Sequence, residues 1–223
     1  LRSRGLGDVY KRQGVHGLEQ MKFPTAFIDQ VTYDVTMPFI RMMAGPVDYT
    51  QGAMHNASRE NFRAIHDEPM SQGTRCRQLA EYIVFDSPLN MLCDSPSSYE
   101  REHECTSFIA GIPTVWDHTT VLCGKVSEYI ATARQKGNIW YVGAMTNWEE
   151  CTIEIDLSFL GAGDFKAEIF RDGVNAYRYA RDYKKELIEI PADRKLKVRM
   201  APGGGFAARI YPVSYTHLTL PTN

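Results

Sequence analysis

The apolar positions of this chain change their spacing near its middle. From Val126 onward they come in short runs rich in β-branched and aromatic residues, at 128–132, 139–145, 152–157, 166–170, 187–190 and 196–200, with a last one at 206–210. Gly137-Asn138, Asp172-Gly173 and Asp193-Arg194 punctuate them, so this half is predicted to form an antiparallel β-sandwich. Gly203-Gly204-Gly205 lacks the following lysine and helix of a phosphate-binding loop and reads as a bend between strands. Trp140, Tyr141 and Trp148 read as core or cross-strand packing rather than a platform for sugars.

The first half mixes two periods. Residues 27–43 carry β-branched and aromatic side chains and read as a strand running into the loop Ala44-Gly45-Pro46-Val47-Asp48-Tyr49-Thr50. Ser58 can cap a short helix over 58–65, and Leu79, Tyr82 and Ile83 give 74–85 an apolar stripe at helical spacing. Residues 89–93, bounded by Ser-Pro pairs, read as a buried strand, and 98–108 as a polar helix. Alternating strands and helices with acids and glycines at strand ends predict parallel βα units, which either a (β/α)8 barrel or a doubly wound sheet would contain.

With 43% hydrophobic and 23% charged residues the composition is that of a globular protein. No run approaches the ~20 apolar residues of a membrane span. Five scattered cysteines, Cys76, Cys93, Cys105, Cys123 and Cys151, form no Cys-x-x-Cys pair, which argues against a disulfide framework and a zinc site.

Both ends look foreign to the fold. Asp8-Val9-Tyr10-Lys11-Arg12-Gln13 can be encoded by GATGTGTATAAGAGACAG and Val213-Ser214-Tyr215-Thr216-His217-Leu218 by GTCTCTTATACACATCTG, whose opening bases reverse-complement the first. Residues 1–13 and 212–223 are therefore expected to be translated sequencing-adapter ends, to be set aside in reading the fold. The first thirteen residues hold four cations against one acid, so the net charge of −2 becomes −5 without them. No lysine–arginine cluster remains to track phosphates, which excludes nucleic acid as a partner.

Several blocks carry a family resemblance. Gly14-Val15-His16-Gly17-Leu18-Glu19-Gln20-Met21-Lys22, Thr32-Tyr33-Asp34-Val35-Thr36-Met37-Pro38-Phe39-Ile40-Arg41-Met42, Ala44 to Thr50, Gln72-Gly73-Thr74-Arg75 and Pro113-Thr114-Val115-Trp116-Asp117 closely resemble glycoside hydrolase family 97. The resemblance implies a fold class of α/β plus all-β: the C-terminal part of a catalytic (β/α)8 barrel over 14–115, then an antiparallel β-sandwich domain over 116–211. It implies an α-glycosidase, an α-galactosidase or α-glucosidase acting on oligosaccharides or other α-glycosides, exported by bacteria to the periplasm.

Glycoside hydrolysis needs two carboxyl groups, one to protonate the departing oxygen and one to attack the sugar or activate water. In the family the Gly-x-Glu glutamate is the general acid, which here is Glu19. In inverting members it also helps hold calcium, so Glu19 is the metal candidate as well. A calcium-binding glutamate six residues earlier falls at Gln13, and the partner carboxylate is expected upstream of this sequence. Asp34, Asp48, Tyr49 and His16 are the candidates for binding substrate, although for Asp34, inside a strand-like run, a buried, hydrogen-bonded role is favoured over one facing the sugar. The competing reading is a non-catalytic carbohydrate-binding or structural β-sandwich module, which sugar affinity retained by residues 97–211 would favour.

Overall fold

The structure is a computed structural model and describes residues 17, 18, 21, 22 and 29–213. His16, Glu19 and both adapter-like ends up to residue 13 and from residue 214 lie outside the described residues. Among the described residues β-strand is the commonest regular structure, accompanied by a few helices.

The first described element is a helix, α1 (Gln30–Ile40), followed by a 3-10 turn at Arg41–Ala44. The sequence pattern predicted a strand here, and the reason it fails is local. Asp29 caps the helix, accepting from Thr32 N at 3.0 Å, and Val31, Asp34, Val35 and Met37 are buried at helical rather than alternating spacing. Capping and a helical stripe outweigh the weak strand preference of Val31, Thr32, Val35 and Thr36.

Three short strands follow, β1 (Tyr49–Gln51), β2 (Asn56–Ala57) and β3 (Ser71–Gln72), then helix α2 (Arg75–Val84) and strand β4 (Asn90–Leu92). β1 pairs with β4 and β2 with β3, both parallel. Residues 58–65 form a single turn instead of a helix, closed by Asn61 N and Phe62 N on Ser58 O. β4 lies where a strand was expected but is not buried, since Leu89 and Leu92 are more than half exposed. The polar helix splits at Glu102 into α3 (Pro96–Arg101) and α4 (His103–Ala110).

Beyond residue 117 every strand is antiparallel. These are β5 (His118–Lys125), β6 (Tyr129–Lys136), β7 (Ile139–Thr146), β8 (Cys151–Asp156), β9 (Phe165–Asp172), β10 (Tyr183–Glu189), β11 (Lys195–Met200) and β12 (Gly205–Pro212). Six form one sheet in the order β10-β9-β12-β7-β6-β5, and β11-β8 form a second that closes the sandwich. β5, largely exposed at the sheet edge, is the strand the pattern missed. The last strand continues to Pro212, paired with Phe165, and Val213 N donates to Asp164 O at 3.0 Å, so ordered sheet runs into the segment assigned to the tail.

The two faces of the six-stranded sheet bury different partners. On one, Val142, Ala144, Phe206 and Ala208 meet Ile153, Ile155, Val198 and Met200 of the small sheet. On the other, Tyr141, Phe170 and Ala207 meet Cys76, Leu79 and Ile83 of α2, whose ten residues are all buried. Gly143 allows that approach, because a Cβ there would stand 2.9 Å from Ala80 O and from Ile83 Cβ. Both ends of α2 are satisfied by the β-rich half: Thr74 N and Arg75 N donate to Gly203 O and Ala180 O, while Arg134 on β6 donates to Ile83 O and Val84 O. Helix ends need such partners when buried. Residues on either side of 115 therefore share one interior.

The glycine run 203–205 is the turn between β11 and β12, and close approach explains it. Gly203 has φ +67°, a Cβ on Gly204 would collide with the Asp172 carboxylate, and one on Gly205 would sit 2.5 Å from Arg77 Cα. Asp172 ties the turn down, accepting from Ala201 N at 2.9 Å and Gly205 N at 3.1 Å. Burial raises its carboxyl to about 6, against the lowering effect of these bonds. A group whose folded pKa exceeds its unfolded value of about 3.9 binds its proton more tightly when folded, so its contribution is full below pH 4 and is lost as pH rises through 6. Urea unfolding should show the wild type losing about 2–3 kcal/mol relative to Asp172→Asn across that window; a difference independent of pH would refute this.

Candidate functional site

A cavity of about 810 Å³ opens at the C-terminal ends of β1 and β4, within the size range of small-ligand pockets. Its buried floor includes Leu18, Ala53, Met54 and Ser71, and its exposed rim includes Asp67, Glu68, Arg101 and Arg181. His55, Asp94 and Glu102 complete the polar lining. Asp94 Oδ2 accepts from Met54 N at 2.8 Å and Glu102 Oε2 from Arg75 Nη1 at 2.8 Å, so both carboxylates have structural partners.

The floor is held in place by one polar side of α2. Gln78 Oε1 accepts from Gly52 N at 2.8 Å and Ala53 N at 3.1 Å, and Tyr82 OH donates to Gln51 O at 3.0 Å. Arg75 donates to Met54 O and, at 2.5 Å, to Asn56 Oδ1. Tyr99 of α3 donates to Gly52 O at 2.9 Å. A loop that would otherwise bury bare backbone groups is thus satisfied residue by residue, which fixes the cavity's shape.

The sequence candidates fall in two places. Leu18 and Lys22 line the cavity, flanking Glu19 in sequence, while Glu19 and His16 lie outside the described residues. Asp34, Asp48 and Tyr49 are buried and are not part of the cavity lining; Thr50, next in the chain, is. Asp34 sits on helix α1 rather than a strand, and Tyr49 OH donates to its Oδ1, with Gln30 Nε2 donating to both. Arg77 lies 3.4 Å from Asp34 Oδ2 and 3.3 Å from Glu81 Oε1. Burial pushes the Asp34 carboxyl up, opposed first by Arg77. Burial and then the charge of Asp34 push Glu81 well up, and the same causes act on the Tyr49 hydroxyl. Gln78 Nε2 donates to Glu81 Oε1 at 3.1 Å, which links this interior cluster to the cavity floor.

Sequence reading missed His55, Asp94, Glu102 and Arg181. Asp94 had a signal, an acid just past a strand end. Arg181 had none, because only the fold brings the β9–β10 connection to the cavity. Cys76 and Cys105 are buried and the other three cysteines half-buried, all five as free thiols. Among the described residues, no group of three or more His, Cys, Asp or Glu side chains is placed to hold a metal, and no helix is long and apolar enough to cross a membrane.

The family model and the solved structure that match this chain both name glycoside hydrolase family 97, and the two sequence relatives are named as retaining alpha-galactosidases. Residues 115–211 match the family model described as glycosyl-hydrolase 97 C-terminal, oligomerisation. A protein named retaining alpha-galactosidase from Bacteroides thetaiotaomicron is 60% identical over 208 residues, 93% of this chain and 31% of the relative. A probable retaining alpha-galactosidase from Streptomyces bingchenggensis is 26% identical over 200 residues, 90% of this chain and 28% of the relative. A glycoside hydrolase family 97 enzyme from Pseudoalteromonas sp. strain K8, solved in complex with acarbose, superposes with a TM-score of 0.80 at 32% identity, covering 89% of this chain and 31% of that one. The chain spans about a third of the length of these relatives.

Proposed function

The chain belongs to glycoside hydrolase family 97, and from that premise we propose that it is the C-terminal part of a retaining α-galactosidase in which Glu19 is the acid/base residue. The observation that carries this reading is the 60% identity over 208 residues to a retaining alpha-galactosidase. The parallel pair β1–β4, with α2 between its strands in the chain, is the last βαβ unit of a (β/α)8 barrel, whose active sites lie at strand C-terminal ends, where the cavity opens. Residues 116–211 form the β-domain, and the matching family's description supports association between copies through it. Export to the periplasm rests on the family resemblance alone.

In the first step Glu19, as the carboxylic acid, gives its proton to the glycosidic oxygen as the C1–O bond breaks, and a carboxylate from upstream of this sequence takes up C1 in a covalent intermediate. In the second, Glu19, now a carboxylate, takes a proton from water while the water oxygen displaces that carboxylate from C1. The resemblance ties calcium to inverting members, where Glu19 would be one of its ligands and the ion would stabilise negative charge on the oxygens it holds.

The test is the anomer formed first by the whole enzyme carrying this sequence. Proton NMR during hydrolysis of nitrophenyl α-galactoside should show α-galactose before mutarotation. β-Galactose first, or faster turnover of the α-glucoside, would overturn the assignment.

A further inference from the structure

The β9–β10 connection, residues 173–182, belongs to the β-domain yet brings Arg181 to the cavity rim. It is a compact, self-bonded loop. Gly173 N donates to Asp182 O at 2.9 Å, Asn175 N to Asp182 Oδ2 at 2.8 Å, Tyr179 N to Asn175 O at 2.8 Å and Asp182 N to Tyr179 O at 2.8 Å. Ala176 and Ala180 are buried, and Ala180 O accepts from Arg75 N at the start of α2, which pins the loop to the helix that shapes the cavity floor. A Cβ on Gly173 would collide with the Asp182 carboxylate, so the closure demands glycine.

On this rigid base Tyr179 stands 55% exposed, with the Arg181 guanidinium 5.2 Å from its ring centroid. Val174 and Tyr177 on the same short loop are also at least half exposed, so the loop presents several apolar side chains beside a cation that lines the cavity, and exposed apolar side chains that come together mark binding surfaces where single ones do not. Tyrosine offers a sugar ring broad apolar contact at low entropic cost, and a guanidinium offers several donors to its hydroxyls. An enzyme removing a terminal sugar buries that ring and leaves the rest of the substrate at the rim.

We propose that Tyr179 and Arg181 form a binding platform for the leaving-group sugar of an α-galactoside oligosaccharide, so that the β-domain takes part in substrate selection. The proposal rests on the glycosidase reading for its substrate class. Its occupant is a pyranose ring adjoining the galactose, stacked on Tyr179 and hydrogen-bonded to Arg181.

Two measurements test it. Amide NMR of this chain titrated with an α-galactosyl trisaccharide should shift Tyr177 to Arg181, and galactose alone should shift them far less. In the whole enzyme, Tyr179→Ala and Arg181→Ala should each lower kcat/KM for the trisaccharide about tenfold more than kcat/KM for α-galactosyl fluoride, which has no sugar to place on the platform; tenfold corresponds to ~1.4 kcal/mol. Absent amide shifts, equal shifts with galactose, or an unchanged ratio of the two rates would overturn the platform. Failure to turn over either substrate would sink the glycosidase reading instead, and the titration would still decide whether the loop holds a sugar.

Discussion

Glu19→Gln in the whole enzyme is expected to cut turnover of α-galactosyl oligosaccharides by about 10²–10⁴-fold, the usual worth of general acid assistance. The amide keeps the shape of the side chain and removes its proton. A sugar alkoxide is a poor leaving group and cannot depart without that proton, whereas a dinitrophenolate leaves readily as the anion. The first step on a dinitrophenyl α-galactoside should therefore be largely spared, visible as a burst of released phenol. Glu19 also serves as base in the second step, so the burst should be followed by slow steady turnover, and added azide, a nucleophile that needs no base, should restore the steady rate. Equal losses of burst and oligosaccharide rate, with no rescue by azide, would assign Glu19 another role. The position of Leu18 on the cavity floor is the structural reason to test this residue first.

What the sequence made legible followed the physics of short range. Helix α2 was predicted from its stripe and begins one residue after its Thr74 cap, whose hydroxyl accepts from Arg77 N. Runs bounded by Gly137 and Arg194 became strands because residues at φ +57° end them sharply. Residues 27–43 were misread because Val31, Thr32, Val35 and Thr36 favour strands only slightly, while the Asp29 cap and the burial of Val31 and Val35 against the interior decide the outcome. Strand β5 was illegible since an exposed edge strand shows no apolar alternation. For the site, Glu19 was legible through a family motif, while Asp34 was singled out by itself within a strand-like run and Tyr49 beside Asp48 in the loop after it. That Asp34 and Tyr49 meet each other inside the protein depends on α1 and β1 packing together, which spacing along the chain does not encode. Arg181 reaches the cavity from a connection more than a hundred residues beyond β1, and no local pattern announces it.

The buried cluster of Asp34, Arg77 and Glu81 yields the largest expected change in stability. Asp34, Arg77 and Glu81 are each at most 1% exposed, and two carboxyls share one guanidinium. Water cannot screen them, so the cluster is neutral only if one carboxyl keeps its proton. Glu81 is the holder: burial and the adjacent Asp34 charge raise it well above the usual range, whereas Asp34, also raised by burial, is opposed by Arg77 and by hydrogen bonds from Tyr49 and Gln30. Removing the cation while keeping its bulk, Arg77→Met, strands the Asp34 charge and removes the Arg77 hydrogen bonds to Thr146 O and Val31 O. Breaking a buried pair in this way costs about 3–5 kcal/mol, a fall in melting temperature of roughly 6–20 °C at this size. Glu81→Gln is close to an isostere of the protonated acid and should cost at most about 1 kcal/mol, its amide donating where the acid's O–H did. The Arg77→Met defect should shrink in acid, since Asp34 can then take a proton and the uncompensated charge disappears; with a folded pKa raised by burial, the variant's stability falls as pH rises. Urea unfolding of the three proteins at pH 5 and pH 8 decides between the assignments: a Glu81→Gln loss as large as that of Arg77→Met would place a charge on Glu81 and the proton on Asp34.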